Sequence, residues 1–377
     1  MSKAAEIAPD AYALATPKGE TVAAPELPYR PRDPRGYRPG IGLIGAGGIA
    51  FAHLDAYRRA GYRVLAICDQ MLEKAVCRRD EFFPDAAVTL DFREVLARQD
   101  IEVVDITTPP EPRVAIIEAA IARGKHILSQ KPFVRDLDVG ERLAALAEAR
   151  GLRLAVNHNG RWAPHFAYMR EAVRAGLIGE VIGVHAGLRW DHSFAKGTPF
   201  EDMDDLILYD FGIHWFDFVT TLIGNRAVSV FATRAHAASQ TMRPPLLAQA
   251  LVAFSGGQAS LVFDGYTRYG ALDTTYVAGT AGSLSSAGPN LGEQSVTLST
   301  AAGVAIPALQ GTWFKDGFHG AMAELLCAIE EGREPANSAR SSLMGLALCF
   351  AAIASAMAGA PVPVGSVRRV PVAQPQA

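Results

Sequence analysis

The stretch that most restricts the fold is IGLIGAGGIA, Ile41–Ala50, where Gly45-x-Gly47-x-x-Ala50 follows a short apolar run and opens a segment of helical spacing. A chain passes this sharply from strand to helix where no Cβ obstructs the turn, and Gly45 provides that. Gly47, with Gly48 and Ile49 beside it, lets a ligand reach the backbone at the helix N-terminus, and Ala50 lets the helix lie close on the strand. Free N–H groups and the positive end of a helix then face one point, the arrangement that holds a pyrophosphate. The motif is weak alone and gains force from its place between a strand and a helix.

The next hundred residues repeat that alternation. YRVLAICD, IEVVDITTP, KHILSQKP and LRLAVNHN are apolar runs separated by segments of helical period. Uninterrupted Val/Ile/Leu strands between helices indicate a parallel sheet covered on both faces. After Asn159 the texture changes to successive strands with turns and no helices between them, which reads as a mostly antiparallel sheet. Two helices close the chain, around Gly317–Gly332 and Ala339–Gly359. The expected organisation is an extended arm over residues 1–39, whose PELPYRPRDPRGYRPG holds five prolines. An α/β Rossmann domain comes next over 40–157, then an α+β domain with an open antiparallel sheet over 158–377. The C-terminal helices of that second domain are expected to pack back on the first.

Composition excludes some classes. A formal charge of −3 over 377 residues gives no reason to expect nucleic acid or an anionic membrane surface as partner. The four cysteines have neither metal-ligand spacing nor the density of a disulfide framework, so a reducing, cytoplasmic setting is expected. The first 20 residues show no signal-peptide pattern. LMGLALCFAAIASAMAGA has about the length of a bilayer span, but its Ala, Gly and Ser contribute little transfer energy, so it is read as a buried helix. The acidic run Glu201–Asp205 is read as a solvated loop.

Asp69 ends the second strand, 24 residues beyond Gly45. An acid there accepts hydrogen bonds from ribose hydroxyls and repels a 2′-phosphate, which favours NAD over NADP; the plainer role is to cap the next helix. Arg78 and Arg79 lie nearby. The other notable stretch is LYDFGIHWFDF, Leu208–Phe218. On a continuous helix from Asp210 to Ile223, the residues Asp210, His214, Asp217 and Thr221 fall within an arc of about 60°. A narrow polar stripe on an otherwise apolar helix faces a cavity, a partner or a buried network. No further ligand accompanies it, so no metal site is expected. Histidine, with an ordinary pKa near ~6.5, suits proton transfer at neutral pH.

Several motifs in fixed order make the chain similar to the Gfo/Idh/MocA oxidoreductases, named for glucose–fructose oxidoreductase and inositol dehydrogenase. They are the glycine turn, TTPP (Thr107–Pro110), SQKP (Ser129–Pro132), NHNGRWAP (Asn157–Pro164), YDFGIHWFD (Tyr209–Asp217) and AIEEGREPANSAR (Ala328–Arg340). The resemblance runs from Ile41 to about Val364. It implies that Thr107, Thr108 and Pro109 border the cofactor and that Lys131 sits beside nicotinamide and substrate. Gln130 stands where the family has glutamate, so it would bind a ribose hydroxyl rather than move a proton. Arg113 replaces a usual histidine and is given no catalytic role. Asn159, Arg161 and Trp162 are expected at the cofactor and the pocket mouth. His214 is expected as general acid/base, Lys131 as co-catalyst and hydroxyl anchor, Asp210 as positioning group and Asp217 as structural. Arg189, Trp190 and His192, with Trp313, Phe314, Asp316 and His319, are the candidate substrate contacts.

The implied function is NAD-dependent hydride transfer with a hydroxyl of a sugar, cyclitol or glycoside, by a homodimer or homotetramer. Two other readings remain open, a redox-assisted glycosidase and a non-catalytic nucleotide sensor. By analogy with glucose–fructose oxidoreductase, residues 21–39 are expected to cover the adenine end of the cofactor.

Overall fold

The computed structural model of the chain describes residues 19–372. The N-terminal stretch read for a signal peptide and the first half of the arm lie outside them. The first sheet is parallel, with strands β1 (Gly40–Ile44), β2 (Arg63–Cys68), β3 (Ala87–Thr89), β4 (Val103–Ile106), β5 (His126–Gln130) and β6 (Leu154–Asn157) in the order 3-2-1-4-5-6. Helices α1 (Ala50–Ala60), α2 (Leu72–Phe82), α3 (Phe92–Ala97), α4 (Pro110–Ala122) and α5 (Leu137–Ala149) connect the strands. Strands β1, β4 and β6 are buried at every position, as a sheet covered on both faces requires. The sequence pattern does not reveal β3 and α3, which at three and six residues are too short to show a period.

Helix α6 (Pro164–Arg174) leads into a nine-stranded sheet. Its strands are β7 (Val181–Arg189), β8 (Ala227–Ala235), β9 (Leu247–Phe254), β10 (Gly257–Asp264), β11 (Leu272–Gly279), β12 (Gly282–Asn290), β13 (Glu293–Thr300), β14 (Gly303–Ala305) and β15 (Val362–Pro363). All neighbours are antiparallel except β7 and β10, which run parallel. One face of this sheet carries α7 (Ile213–Ile223) and α9 (Ala339–Ala358). Helix α9 is long and apolar enough to cross a membrane, yet it is mostly buried against α5, α7 and β8. Helix α8 (Trp313–Glu330) docks on α1, placing Phe318, Met322, Leu325 and Leu326 in one core with Ile41, Leu43, Leu54 and Tyr57.

Residues 19–39 lie on their own chain. Val22 N–H donates to Val304 O at 3.0 Å, and the Tyr168 hydroxyl donates to Pro25 O at 3.1 Å. Further on, the backbone N–H groups of Arg35, Gly36 and Tyr37 converge on the Glu330 carboxylate at 2.8, 2.6 and 2.8 Å, which holds that acid below its ordinary pKa. The Tyr37 hydroxyl reaches Glu102, just before β4. The arm therefore ends at the N-terminal edge of the parallel strands, opposite the glycine turn, and not over Asp69 as the resemblance implied.

Candidate active site

In a parallel sheet of this order, β1 and β4 send their chains to opposite faces, and a crevice opens beyond their C-terminal ends. Both the glycine turn and TTPP line it. Gly45 has φ +105°, and its N–H donates to Cys68 O at 2.8 Å. A Cβ there would lie 3.0 Å from both Thr107 Oγ1 and Thr108 N, so conformation and space both require glycine. Beyond it, Cβ atoms on Gly47 and Gly48 would meet nothing within 4 Å. Open backbone at the start of a helix with no acid in its first turn fits a pyrophosphate. The Thr107 hydroxyl donates to Gly45 O, while buried Thr108 Oγ1 has no partner among the described residues.

Asp69 is a turn-fixing acid rather than the N-cap of α2, which is Met71. Its carboxylate accepts from Ala46 N–H at 2.7 Å and Met71 N–H at 2.9 Å, fixing the turn to the end of β2. A carboxylate has about four acceptor sites, so capacity remains for ribose hydroxyls. Arg78 pairs with Glu81 at 3.0 Å and Arg79 with Asp80 at 2.7 Å, which leaves neither guanidinium free of an acid.

The second half of the site is built at Leu206–Phe211, which forms a π-helical turn ahead of α7. Gly212 N–H donates to Ile207 O at 2.7 Å, and a Cβ on Gly212 would stand 2.8 Å from that same oxygen. The continuous helix expected from Asp210 is thus corrected. The wide turn swings Asp210 out of the α7 register, so the stripe divides in two. Asp210 meets Lys131, whose Nζ lies 3.0 Å from Asp210 Oδ1 and donates to Asp210 O at 2.8 Å. His214 is in the first turn of α7, edge-on to Trp313 at 5.5 Å between ring centres. Its Nδ1 is buried with no partner among the described residues, and burial, reinforced by Lys131 and His158, lowers its pKa well below the ordinary value. Asp217 turns inward as a structural anion.

Five expected site residues are corrected. Arg161 is buried and each of its three nitrogens is engaged: Nε meets Asp217 at 2.7 Å, Nη2 at 2.5 Å, and Nη1 donates to Ala336 O. It anchors α7 to the loop before α9, and these partners, not the crevice, set its position. Trp162 packs on α8, where a Cβ on Gly320 would lie 2.2 Å from its ring. Arg189 runs back along the outer face of the second sheet toward Asp264 at 3.5 Å, away from α7. His319 pairs with Asp33 of the arm at 2.8 Å, on the side of α8 turned from the crevice. Trp313 is the fifth: at 2% exposed it packs among His165, Phe166 and Trp215 behind His214, held by its Nε1 donating to Asn159 Oδ1 at 2.6 Å, and offers no face to a substrate. Asn159 therefore orients a buried ring that supports His214. The acidic run also differs from expectation, since Asp205 is buried against Arg234.

Sequence reasoning missed two supporting sets. Arg113 is fully buried and donates to Thr108 O at 3.1 Å, to Phe133 O at 3.3 Å and to Pro132 O, which locks TTPP to the segment bearing Lys131. Burial lowers its pKa to about 10, leaving it charged at neutral pH. Behind Gln130, Asn157 Nδ2 donates to Gln130 Oε1 at 2.8 Å and contacts His53 Nε2 at 3.1 Å. His53 Nδ1 meets Asp105 Oδ2 at 2.7 Å, and that oxygen also accepts from the Tyr57 hydroxyl. The carbonyl of Gln130 is thus occupied, leaving its NH₂ for a ligand. His53, Asp105 and Asn157 come from three separate elements, and no local spacing reveals their meeting.

Residues 40–158 match the model of the oxidoreductase family with an NAD-binding Rossmann fold, and residues 166–285 match the GFO/IDH/MocA C-terminal domain. An inositol 2-dehydrogenase of Rhizobium meliloti (strain 1021) is 30% identical over 323 residues, 84% of this chain and 96% of that protein. The chain belongs to the Gfo/Idh/MocA oxidoreductase family. This oxidoreductase is a dehydrogenase acting on CH–OH groups. An oxidoreductase from Agrobacterium radiobacter, solved with NAD⁺, L-tartaric acid and magnesium, superposes with a TM-score of 0.79 at 22% identity, covering 88% of this chain and 99% of that one. Levoglucosan dehydrogenase, solved with NADH and levoglucosan, gives 0.76 at 21% identity, covering 88% and 100%. At these identities the two structures establish the shared fold.

Proposed function

We propose that this oxidoreductase uses NAD⁺ to oxidise a secondary hydroxyl of a sugar or cyclitol, with Lys131, His214 and Asp210 acting on the substrate. The observation behind this reading is the convergence of Lys131 and Asp210 at 3.0 Å beside an imidazole with an unpartnered Nδ1. Gly45–Ile49, Asp69, Thr107–Pro109 and the NH₂ of Gln130 would hold the cofactor, which when bound supplies the hydride acceptor. Asp69 and the paired state of Arg78 and Arg79 favour NAD over NADP.

His214, neutral at pH 7, accepts the hydroxyl proton as the alkoxide forms. Lys131 donates a hydrogen bond to the same oxygen and stabilises its developing charge. Asp210 holds Lys131 from two sides, through carboxylate and carbonyl, so the ammonium is fixed before substrate arrives. Trp313, buried and steadied by Asn159, backs the His214 ring edge-on and keeps the imidazole in place. The test is a panel of sugars, inositols, glycosides and sugar acids with NAD⁺. NADH formation with a polyol supports the assignment, and tight NAD⁺ binding without turnover on any of them overturns it.

Assembly and location belong to the same reading. The outer face of the second sheet leaves Leu251 53% and Tyr276 45% exposed, and a homodimer across that face would bury them. Sedimentation of the intact enzyme as a monomer would remove this element. Cys68, Cys77, Cys327 and Cys349 are free thiols, which fits a reducing cytoplasm. A disulfide mapped between any two would contradict it.

A further inference from the structure

We propose that Asp273, Thr275 and Ser286 form a subsite on the inner face of the second sheet. It takes hydroxyl groups at the end of the substrate remote from the reacting carbon, and it selects uncharged sugars or cyclitols over sugar acids. The inference rests on the proposed oxidation of a sugar or cyclitol and adds the recognition of the substrate's far end.

Strand register places these three side chains. Asp273 on β11 stands opposite Leu188 on β7, and Leu188 stands opposite Phe263 on β10. Residues paired across a sheet point to the same face. The Phe263 ring packs on Trp215 at 5.7 Å and on Phe211 at 6.2 Å, so this row forms the floor beneath the turn that carries Asp210 and His214. Asp273 is two strands further along the floor, about 10 Å at the ~4.8 Å strand spacing. Thr275 comes two residues later on the same face, directly opposite Ser286 of β12. The offset from Phe263 suits the far edge of a ring, or a second ring, rather than the reacting carbon.

The chemistry of the three is unusual for a sheet floor. Asp273, Thr275 and Ser286 are 3%, 2% and 4% exposed. Among the described residues, both Asp273 oxygens, Thr275 Oγ1 and Ser286 Oγ have no hydrogen-bond partner. Thr274, on the opposite face, bonds Gly187 O at 3.3 Å, so unpartnered hydroxyls are not general to this strand. Buried polar groups are ordinarily satisfied, and a buried carboxylate without a partner is costly. Four such atoms on adjacent strands are explained by a ligand that brings the missing partners. Burial alone raises the pKa of Asp273 to about 7, and no cation offsets it. A pair of hydroxyls donating to Asp273 and exchanging hydrogen bonds with Thr275 and Ser286 satisfies all three. Above about pH 7, where Asp273 is ionised, a carboxylate-bearing substrate would set like charge against it.

The test uses intact enzyme with NAD⁺ and matched neutral and acidic probes, glucose with glucuronate and galactose with galacturonate. At about pH 8.5, where Asp273 is ionised, wild type should prefer the neutral member at least ~30-fold in kcat/KM. Asp273→Asn should narrow that ratio by ~10-fold, chiefly through KM, with a Tm equal to or above that of wild type. Thr275→Val, which keeps shape, should raise the neutral-sugar KM ~5-fold and guards against a folding defect in the first variant. A lower Tm in Asp273→Asn, with the neutral-to-acid ratio unchanged in both variants, would make the cluster structural and overturn the subsite. If wild type oxidises no probe, the reaction assignment fails separately. The subsite is then read from the Tm rise each sugar produces, which should be present in wild type and lost in Asp273→Asn; equal rises in both overturn it.

Discussion

Lys131 Nζ lies 3.0 Å from the Asp210 carboxylate and 2.8 Å from the Asp210 carbonyl, so one ammonium is held by both ends of one residue. The π-helical turn at Leu206–Phe211 presents the two acceptors together. Lys131→Met should lower kcat by at least ~10³-fold, since it removes a hydrogen bond that strengthens as the alkoxide forms. NAD⁺ affinity, measured by fluorescence titration, should stay within ~3-fold. Asp210→Asn keeps the carbonyl contact and weakens only the carboxylate one, so a milder loss of ~10–100-fold is expected. Equal losses in the two variants would contradict this division.

His214 supplies the pH dependence. Burial comes first, then the positive charges of Lys131 and His158, and all three favour the neutral imidazole. With its pKa in the free enzyme well below 6.5, His214 remains an acceptor through mildly acidic pH. The acid limb of kcat/KM for alcohol oxidation should therefore fall well below 6.5. Replacing Lys131 with Met removes one of the depressing charges and should move the His214 imidazole upward in an NMR titration. An imidazole signal abolished by His214→Asn that titrates at or above 6.5 in wild type would refute the assignment.

The Rossmann half was legible because its signals are local. The glycine turn, TTPP and the apolar strands each specify their own geometry within a few residues. The stripe Asp210–His214–Asp217 was legible only as a pattern. Projection on an ideal helix could not reveal that Gly212 N–H bonds five residues back, which sends Asp210 to Lys131 while Asp217 turns to Arg161. Arg189 and His319 were misplaced for a related reason: spacing identifies the element, but only packing identifies the face. The row Phe263, Leu188, Asp273 joins three strands that are distant in sequence, so no window contains it.

Asp69 should set cofactor choice. On the proposed reading its carboxylate would repel a 2′-phosphate, and the nearby Arg78 and Arg79 are already paired with acids. Asp69→Ser should narrow the preference for NAD⁺ over NADP⁺ by ~10-fold or more in kcat/KM. It should also lower Tm, because the N–H groups of Ala46 and Met71 lose their acceptor. A Tm change with unaltered preference would confine Asp69 to fixing the turn.

Arg161 and Asp217 form a buried ion pair with two hydrogen bonds, at 2.7 and 2.5 Å. Removing one member leaves the other charge buried and unpaired, at a cost of about 3–5 kcal/mol. Asp217→Asn should destabilise the enzyme on that scale in urea denaturation, while NAD⁺ affinity of the remaining folded protein is unchanged. Loss of NAD⁺ affinity without loss of stability would restore the cofactor role first expected of Arg161.

The arm tests whether position or resemblance is the better guide. Its described residues reach α8 and the N-terminal edge of the parallel sheet, where Glu330 collects three backbone N–H groups and Asp33 accepts from Tyr62 and pairs with His319. The glycine turn and Asp69 open at the other edge, so the described residues of the arm cover no surface there that a dinucleotide would touch. Deleting residues 1–39 should therefore lower Tm by about 1–3 °C, what a loss of ~1–2 kcal/mol produces in a chain of this size. NAD⁺ affinity should remain within ~2-fold of wild type. A large loss of NAD⁺ affinity at unchanged Tm would require the arm to reach a cofactor site, as it could on a neighbouring subunit, and would overturn its assignment as an intrachain brace.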